Sequence, residues 1–408
     1  MSKAKAVRGK EERHYRDLFD LAFDAIFIHG FTGNFLEVNQ TACKRLGYTQ
    51  EELLQMSPLD IVTPEFTGLF FKRLEELREI GSLFCETAHI HRDGTVFPVE
   101  LSCRIIDHFG TPAVFSVARD LTGRKRTEKS LAFRLQLREY SLDHSLKETM
   151  QFALDLAEQL TQSQIGFMHF LQPDQKTLEL QAWSSGTRKS FCIASPELNH
   201  YHVDKAGVWV ECVFTRVTTI HNDYASLPNR KGIPQGHPPI IREVVIPIIR
   251  GEKIRAILGV GNKNCDYTQE DVKVLEGFAD FAWDLISQIQ AEEALQDSQG
   301  RFRQILDNSD TVIFLKDLEG KYLAINRRFE ELFHIDRVGV VGKTDYDIFP
   351  AELAKAFQEN DRRALEHGGS IAVEENVLQD DGMHFYISVK FPLYAVNQKP
   401  YAVCGIAT

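Results

Sequence analysis

One segment occurs twice in this chain, and the repeat limits the possible folds more than any other feature of the sequence. A shift of 287 positions places residues 15–39 on residues 302–326 without a gap, with seven identities in 25 positions. The identical pairs are Arg16/Arg303, Asp20/Asp307, Ile26/Ile313, Phe27/Phe314, Gly33/Gly320, Leu36/Leu323 and Asn39/Asn326. Two copies are too few for a solenoid, so we expect one domain type used twice with a different segment between the copies.

Each copy has the pattern of a small antiparallel sheet with short helices on one face. In the first copy a short amphipathic helix precedes an apolar strand at 25–29, a glycine turn and a second strand at 34–39. Apolar and polar residues then alternate over 96–102, after an Asp93-Gly94 pair typical of hairpin turns. The second copy repeats these features at 312–316, 321–326 and 385–389, with Asp381-Gly382 as the hairpin pair.

The first copy resembles a PAS domain in the stretches FLEVNQTACKRLGYTQEEL, HRDGTVFPVELS and ARDLTGRKR. The second resembles another PAS domain in RFRQILDNSDTVIFLKDLEGKYLAINRRFEELF and GKTDYDIFP. The segment between them is similar to a GAF domain of bacterial sensor proteins in AWSSGTRKSFC, HYHVDKAGVW and VVIPIIRGEKIRAILGVGNKNCDYTQEDVKVLEGFADFAWDLI. The resemblance implies the PAS–GAF–PAS sensory region of a bacterial sensor histidine kinase or diguanylate cyclase.

We therefore predict an α+β protein with three antiparallel-sheet sensory domains joined by helical linkers. The predicted division is a tail (1–12), a PAS domain (13–122), a helical linker (123–145), a GAF domain (146–290), a second helical linker (291–300) and a second PAS domain (301–408). The last strand stops one residue before the position of the Asp that follows it in the first copy. We therefore expect the chain to be the sensory portion of a longer protein.

Composition excludes several classes of function. Asp and Glu outnumber Lys and Arg by 58 to 47, a net charge of −11, which argues against a protein that coats nucleic acid or an anionic membrane. No apolar run approaches the ~18 residues of a membrane helix, and the N-terminus lacks the apolar core of a signal peptide. The seven cysteines form no Cys-x-x-Cys pair, so we expect reduced thiols in a cytoplasmic protein.

The sequence contains no motif of a catalytic core, neither a phosphate loop nor a zinc-protease, hydrolase, kinase or cyclase signature. A thiol enzyme using Cys192, Cys212 or Cys265 is the enzymatic alternative, although these residues match no known motif. The cofactor stays open, since the motifs of covalent haem and of flavin photosensors are both missing. We interpret the pairs His89/His91 and His200/His202 as locally hydrogen-bonded residues and predict no metal site.

The middle domain carries the sequence-based ligand hypothesis. Aromatic and polar side chains are concentrated in the section that caps the sheet of the GAF fold, and a small-molecule pocket needs apolar walls with a few polar anchors. The predicted ligand-binding residues are Trp183, Trp209, His221, Asn222, Tyr224 and Arg242. The alternative is that the tryptophans belong to the core and that Asn222-Asp223 only stabilises a turn.

Two junctions are candidates for signal transmission. Resemblance to PAS sensors assigns a relay role to Asp120 and Thr122, and Thr122 is placed to cap the helix that follows. Further on, apolar residues at spacings of three and four predict a short coiled-coil seam in a parallel homodimer, or else a helix packed on its own domain. The seam residues are Leu275, Phe278, Ala282, Leu285 and Ile289.

These features predict a cytoplasmic signal-sensing module that binds a small ligand and passes a conformational change through linker helices to a C-terminal effector. The resemblance favours a histidine kinase of a two-component system as effector domain or partner kinase, with a diguanylate cyclase second. The alternative from a different class is a stand-alone PAS/GAF protein that dimerises and binds protein partners. We predict neither nucleic-acid binding nor membrane insertion.

Overall fold

The computed structural model describes residues 14–31, 33–190, 200–228, 239–379 and 382–408. The predicted tail, Cys192 and the side chain of His200 lie outside the described residues. The chain divides into two compact units, Met1–Ile286 and Ser287–Thr408. The first unit contains two domains, so three domains are described below.

The first domain is a five-stranded antiparallel sheet in the order β2-β1-β5-β4-β3. Its core lies between the sheet and the short helices α2 and α3, where the sequence alternates buried and exposed residues. The elements are α1 (residues 14–20), β1 (Ala25–Gly30), β2 (Phe35–Val38), α2 (Gln40–Leu46), α3 (Gln50–Leu54), α4 (Pro64–Ile80), β3 (Ser82–Ile90), β4 (Val96–His108) and β5 (Thr111–Asp120).

Asn39, one of the repeated residues, explains why this position is shared by the two copies. Its Oδ1 accepts hydrogen bonds from the backbone N–H groups of Ile26 and Ala42, both at 2.9 Å. Its Nδ2 donates to the carbonyls of Phe19 at 3.1 Å and Asp24 at 3.0 Å. One buried amide therefore joins the first helix, the first strand and the N-terminus of α2, because its oxygen accepts two hydrogen bonds while its NH2 group donates two.

The middle domain is a six-stranded antiparallel sheet in the order β8-β7-β6-β11-β10-β9. Helix α6 caps itself through Ser145 and Glu148, whose side chains satisfy each other's backbone N–H groups. The elements are α6 (Leu146–Thr161), β6 (Ile165–Leu171), β7 (Thr177–Trp183), α7 (Ser185–Ser190), β8 (His200–His202), α8 (Glu211–Thr215), β9 (Thr219–His221), β10 (Glu243–Arg250) and β11 (Lys253–Gly261).

The segment predicted as the first linker forms helix α5 (Thr122–Tyr140), which belongs structurally to the middle domain. Phe133 and Leu137 of α5 are buried in that domain's core together with Phe278. Lys129 Nζ donates to the carbonyl of Gln159 on α6 at 2.8 Å. The end of the first sheet is therefore connected to the middle domain by a packed helix.

Helix α9 (Gln269–Asp307) is a single helix of 39 residues that passes through the predicted second linker. Leu275, Phe278 and Ala282 are buried in the core of the middle domain, so these three residues pack on their own domain and cannot form the predicted dimer seam. Residues 291–300 are all exposed. No helix in the described ranges combines the length and the apolar character that crossing a bilayer requires.

The last domain repeats the first, with a sheet in the order β13-β12-β16-β15-β14. Asn326 repeats the role of Asn39, since its Oδ1 accepts from Ile313 and Phe329 and its Nδ2 donates to Leu306 and Thr311. The elements are β12 (Val312–Asp317), β13 (Tyr322–Ile325), α10 (Arg327–Phe333), α11 (Arg337–Val340), α12 (Asp345–Ile348), α13 (Ala351–His367), β14 (Ile371–Gln379), β15 (Gly382–Tyr394) and β16 (Pro400–Ala407).

Candidate functional site

A cavity of about 70 Å³ lies in the first domain between the inner face of the sheet and helix α4. Its walls are mainly apolar, because alternate residues of β1, β3, β4 and β5 point toward this face. The principal apolar residues of the wall are Phe27, Phe35, Phe70, Leu74, Leu77 and Leu101. Apolar walls of this kind favour a ligand that buries a ring or an alkyl group.

Five polar side chains besides the cysteines line the same cavity, namely His29, Arg73, Thr87, His89 and Ser116. His29 Nδ1 lies 3.1 Å from the carbonyl oxygen of Gly30, and the Ser116 hydroxyl donates to Cys103 Sγ at 3.2 Å. The Thr87 hydroxyl is buried and has no hydrogen-bond partner among the described residues. A buried hydroxyl without a partner is unfavourable in the empty protein, so Thr87 is available to hydrogen-bond a ligand.

Burial keeps both cavity imidazoles uncharged near neutral pH. Removal from water lowers the pKa of His29, although the Gly30 carbonyl acts in the opposite direction. The same desolvation lowers the pKa of His89 to about 4, with a smaller contribution from the positive charge of Arg45. Apart from the half-buried guanidinium of Arg73, the wall of the cavity therefore offers neutral donors and acceptors.

The end of strand β5 connects this sheet to α5 through Asp120. Asp120 Oδ1 accepts a hydrogen bond of 2.7 Å from the backbone N–H of Thr122. Thr122 is the first residue of α5, and Leu121 occupies the N-cap without a side-chain hydrogen bond. The prediction that Thr122 caps this helix is therefore wrong, because the carboxylate of Asp120 satisfies the first free N–H.

Arg126 of α5 then contacts the start of α9. Its Nη1 lies 3.1 Å from Glu270 Oε2 and 3.7 Å from Asp271 Oδ1. Asp271 is buried and accepts from Lys263 Nζ at 2.7 Å. A continuous set of contacts thus leads from the last strand of the first sheet to the 262–271 segment of the middle domain.

The residues predicted as a ligand site in the middle domain mostly contact other side chains of that domain or the backbone. Trp183 and Trp209 pack against Phe167, with ring centroids 6.0 and 5.5 Å from it. Tyr224 is buried in a short 3-10 turn after Asp223. The aromatic residues thus contribute to the core, as the alternative interpretation held.

The polar members of that set are held by neighbours in the protein. Asn222 donates to the carbonyl of Tyr267 at 3.1 Å and accepts from its N–H at 2.7 Å. Arg242 Nη1 donates to the carbonyl of Lys263 at 3.0 Å, while Arg242 Nε has no partner among the described residues. Asn222 and Arg242 therefore fix the 262–267 turn, and ligand binding by these residues stays a prediction.

His221 lies between two carboxylates. Its Nδ1 is 2.9 Å from Glu243 Oε1 and its Nε2 is 3.1 Å from Glu211 Oε2. The hydrogen bond to Glu243 is the main reason why the pKa of His221 is raised, although burial opposes it. Burial also raises the pKa of the Cys212 thiol to about 12, so this thiol is protonated. Because the thiolate is the reactive form, this argues against Cys212 as the nucleophile of a thiol enzyme.

Family models match three successive parts of the chain. A PAS domain model matches residues 24–123, a GAF domain model 143–287 and a PAS fold model 306–408. The chain contains a PAS, a GAF and a second PAS domain, in that order. All three models describe sensory domains, so the prediction of a PAS–GAF–PAS sensory region is confirmed.

The PAS–GAF–PAS chain is similar to three curated sensor proteins. It is 34% identical over 321 residues to the methyl sulfide methyltransferase-associated sensor of Methanosarcina acetivorans, covering 77% of this chain and 32% of that protein. It is 29% identical to the probable diguanylate cyclase DgcE of Escherichia coli, covering 29% of this chain and 11% of that protein. It is 31% identical to the methanogenesis regulatory histidine kinase FilI of Methanothrix harundinacea, covering 27% of this chain and 12% of that protein. The chain thus spans a third or less of these relatives.

Solved PAS domains match single domains of the chain. A PAS domain from a two-component sensor histidine kinase is 25% identical, with a TM-score of 0.25, and covers 28% of this chain and 98% of its own. The PAS domain of an HTR-like protein from Haloarcula marismortui is 22% identical, with a TM-score of 0.28, and the match covers 29% of this chain and 99% of that domain's chain.

Sequence reasoning missed the cavity of the first PAS domain. From the sequence, His89 is interpreted as a locally hydrogen-bonded histidine, and neither His29 nor Thr87 is assigned a role. Two signals were present, since His29 ends an otherwise apolar strand and Thr87 and His89 lie two residues apart on β3, on one face. No group of three or more potential metal ligands occurs in the described part of the chain.

Proposed function

We propose that this chain is a cytoplasmic signal-sensing module in which a small uncharged ligand binds the cavity of the first PAS domain. The observation that carries the proposal is the unpartnered Thr87 hydroxyl inside an apolar cavity that also contains two neutral imidazoles. A ligand that supplies the missing hydrogen bond removes an unfavourable feature of the empty protein. The ligand therefore stabilises the folded domain by binding it.

The cavity also suggests the size and class of ligand. A volume of about 70 Å³ is on the order of five water molecules, which suits a single ring with one polar group. The charged side chain of the wall is Arg73, which is half-buried and whose Nη2 donates to the carbonyl of Glu86 at 3.2 Å. A buried cation would have no counter-ion in this wall, and an anion would have only this guanidinium, which already donates to the backbone, so an uncharged ring is favoured.

The proposed signal leaves through β5 and α5. A shift of β5 on ligand binding would move Asp120, which accepts a hydrogen bond from the first turn of α5. The movement of α5 would then displace Phe133 and Leu137, which this helix contributes to the GAF core. Because packed helices transmit displacement as rigid elements, the start of α9 would respond through its contacts with α5.

We further propose that α9 passes the signal to an effector outside this chain. A histidine kinase is our first candidate and a diguanylate cyclase the second, because the chain is similar to one protein of each name and spans only part of each. A homodimer fits this scheme, with the exposed residues Leu295, Phe302 and Ile305 of α9 as its contact surface. Leu295 and Phe302 are seven residues apart, the repeat of a coiled coil.

Thermal unfolding of the full chain with phenol as the probe tests the ligand site. Phenol is an uncharged ring with one hydroxyl, and benzoate is a charged ring of similar size. We expect phenol to raise the unfolding temperature of the first PAS domain in a saturable manner and benzoate to have no effect. Equal responses to phenol and benzoate, or none to either, would count against the proposed ligand class.

Thr87→Val is the variant that locates binding, because it keeps the shape of the side chain and removes the hydroxyl. We expect at least a tenfold weaker response to phenol. Thr111→Val is the matched control, since Thr111 is exposed on β5. If both variants respond like the original chain, phenol does not bind at Thr87 and the proposed site is wrong.

A further inference from the structure

The second PAS domain has charged side chains where the first has neutral ones. The two walls can be compared because their strands pair in the same register. In the first PAS domain, Cys103 of β4 pairs with a β5 residue that also pairs with Phe27 of β1. In the second, Lys390 of β15 pairs with a β16 residue that also pairs with Phe314 of β12. The equivalent wall positions are His29 and Lys316, Thr87 and Glu375, and Cys103 and Lys390.

The charged side chains form one buried cluster. Lys316 Nζ donates to both oxygens of Asp345 at 2.7 Å and to Asp361 Oδ2 at 2.8 Å. Lys390 Nζ donates to Asp361 Oδ1 at 2.7 Å and lies 2.9 Å from Glu375 Oε1. Asp361 thus connects the two lysines, and the five residues act as one electrostatic unit.

This cluster contains one more carboxylate than it has ammonium groups. Two lysines face Asp345, Asp361 and Glu375, and the relative exposure of these five residues ranges from 0 to 7%. Buried charge is unfavourable unless it is matched by opposite charge. An incoming cation would therefore find a site that lacks one positive charge.

The unmatched charge lies beside a cavity. The cavity measures about 30 Å³, and Glu375 and Lys316 are part of its wall. Glu375 Oε1 is occupied by Lys390 and by Asn360, whose Nδ2 donates at 3.0 Å. Within the described ranges no hydrogen bond reaches Glu375 Oε2, so this carboxylate oxygen is available at the cavity wall.

Aromatic rings and one unused hydroxyl complete the wall. Ser388 is fully buried on β15, lines the cavity and has no hydrogen-bond partner for its Oγ among the described residues. Ring faces attract cations, and the wall of this cavity is unusually rich in rings. The aromatic wall residues are Phe314, Tyr322, Phe329, Phe333, Phe349, Phe357 and Tyr386.

We propose that the second PAS domain binds a small organic ammonium ion in this cavity, with its N–H groups on Glu375 Oε2 and Ser388 Oγ and its alkyl group against the aromatic rings. The ligand is small, since 30 Å³ is on the order of two water molecules, or two to three non-hydrogen atoms. The site is chemically distinct from the neutral cavity of the first PAS domain, so the two domains bind different classes of ligand. This inference does not depend on the proposed ligand of the first domain.

Calorimetric titration of the full chain with methylammonium chloride tests the proposal. Methanol is the uncharged probe of the same size, tetramethylammonium is the oversized cation, and sodium chloride controls for ionic strength. We expect saturable binding of methylammonium and no binding of the other three. Binding of methanol as strong as that of methylammonium, or no binding of methylammonium, would overturn the proposal.

Glu375→Gln removes the unmatched charge and is expected to weaken methylammonium binding at least tenfold. Glu374→Gln is the matched control, because Glu374 is the exposed neighbour on the other face of β14. Equal loss in both variants would show that general electrostatic attraction, and not the cavity, binds the cation.

Ser388→Ala keeps the test decisive if Glu375→Gln fails to fold. The substitution removes a hydroxyl that has no hydrogen-bond partner in the part of the chain that the structure describes, so the fold is expected to persist. We expect methylammonium to bind severalfold more weakly to this variant. Undiminished binding to a folded Ser388→Ala chain would place the cation elsewhere and exclude this cavity.

Discussion

The buried hydroxyl of Thr87 lowers the stability of the first PAS domain. It has no hydrogen-bond partner among the described residues, and such a group costs about 1–3 kcal/mol of folding free energy. We therefore expect Thr87→Val to stabilise the first PAS domain by about 1 kcal/mol in the absence of ligand. Differential scanning calorimetry of the full chain measures this change against Thr111→Val. A lower unfolding temperature for Thr87→Val would mean that the hydroxyl has a stabilising partner.

Glu158 gives the GAF domain a pH dependence near neutrality. Burial raises the pKa of Glu158 from 4.5 to about 7, although a hydrogen bond from Ser184 acts in the opposite direction. Because the folded chain retains this proton after the unfolded chain has lost it, the stabilising contribution is complete below about pH 4.5 and is lost as the pH rises through about 7. The unfolding temperature of the GAF domain should therefore fall between pH 5 and pH 8.

Glu158→Gln cannot ionise and should reduce this fall by about 2–4 °C, as expected for roughly 1 kcal/mol after solvent screening of a partly exposed group. Glu139→Gln removes an exposed carboxylate from α5 and serves as the control. Thermal scans at several pH values provide the measurement. An identical pH profile for Glu158→Gln and the original chain would show that Glu158 does not titrate in this range.

At the scale of elements, helix α5 is an integral part of the GAF domain. Leu137 is fully buried in the GAF core, whereas Leu135 on the same helix is 58% exposed. We expect Leu137→Ala to lower the free energy of unfolding of the GAF domain by about 2–5 kcal/mol, and Leu135→Ala by about 0.5 kcal/mol or less. The three tryptophans, Trp183, Trp209 and Trp283, all lie in the GAF domain, so tryptophan fluorescence during urea unfolding reports this domain alone. Equal midpoints for the two variants would contradict the packing of α5.

The elements were largely predictable from the sequence because each has a local signal. The strand predicted at 312–316 is observed as β12 (Val312–Asp317), and the turn at Asp93-Gly94 has the positive φ of Gly94, +87°, that hairpins favour. Helical structure over 291–300 was predicted, but its continuity with the flanking segments in the single helix α9 was not, since these exposed residues have no buried face to create a periodic pattern.

The candidate site was harder to predict because its residues come from separate elements. His29 and Thr87 are 58 positions apart and meet only when β1 and β3 join one sheet. Composition drew attention to Asn222 and Arg242, but it could not show that backbone groups of the 262–267 turn already occupy them. Partner assignment requires tertiary structure, whereas strand and helix assignment requires mainly local periodicity.

At the scale of the whole molecule, the proposed homodimer depends on the exposed stretch of α9. Leu295 and Phe302 are 58% and 64% exposed, and single-chain packing does not cover them. We expect the double variant Leu295→Ser, Phe302→Ser to convert a dimer into a monomer, because a coiled-coil seam needs apolar residues at this repeat. Sedimentation equilibrium at tens of micromolar measures the mass, and Glu293→Ser with Gln299→Ser is the control. A monomeric original chain would exclude this dimer.

The backbone hydrogen bonds that the two PAS domains have in common also bear on how such a chain can change over evolutionary time. Asn39 and Asn326 hold the same three segments of backbone in both domains, whatever side chains line the cavities. A duplicated domain can therefore acquire a new specificity by substitutions at its wall while the other copy retains the original one. Related chains should preserve the asparagines in both copies, yet vary at His29 and Thr87 independently of Lys316 and Glu375.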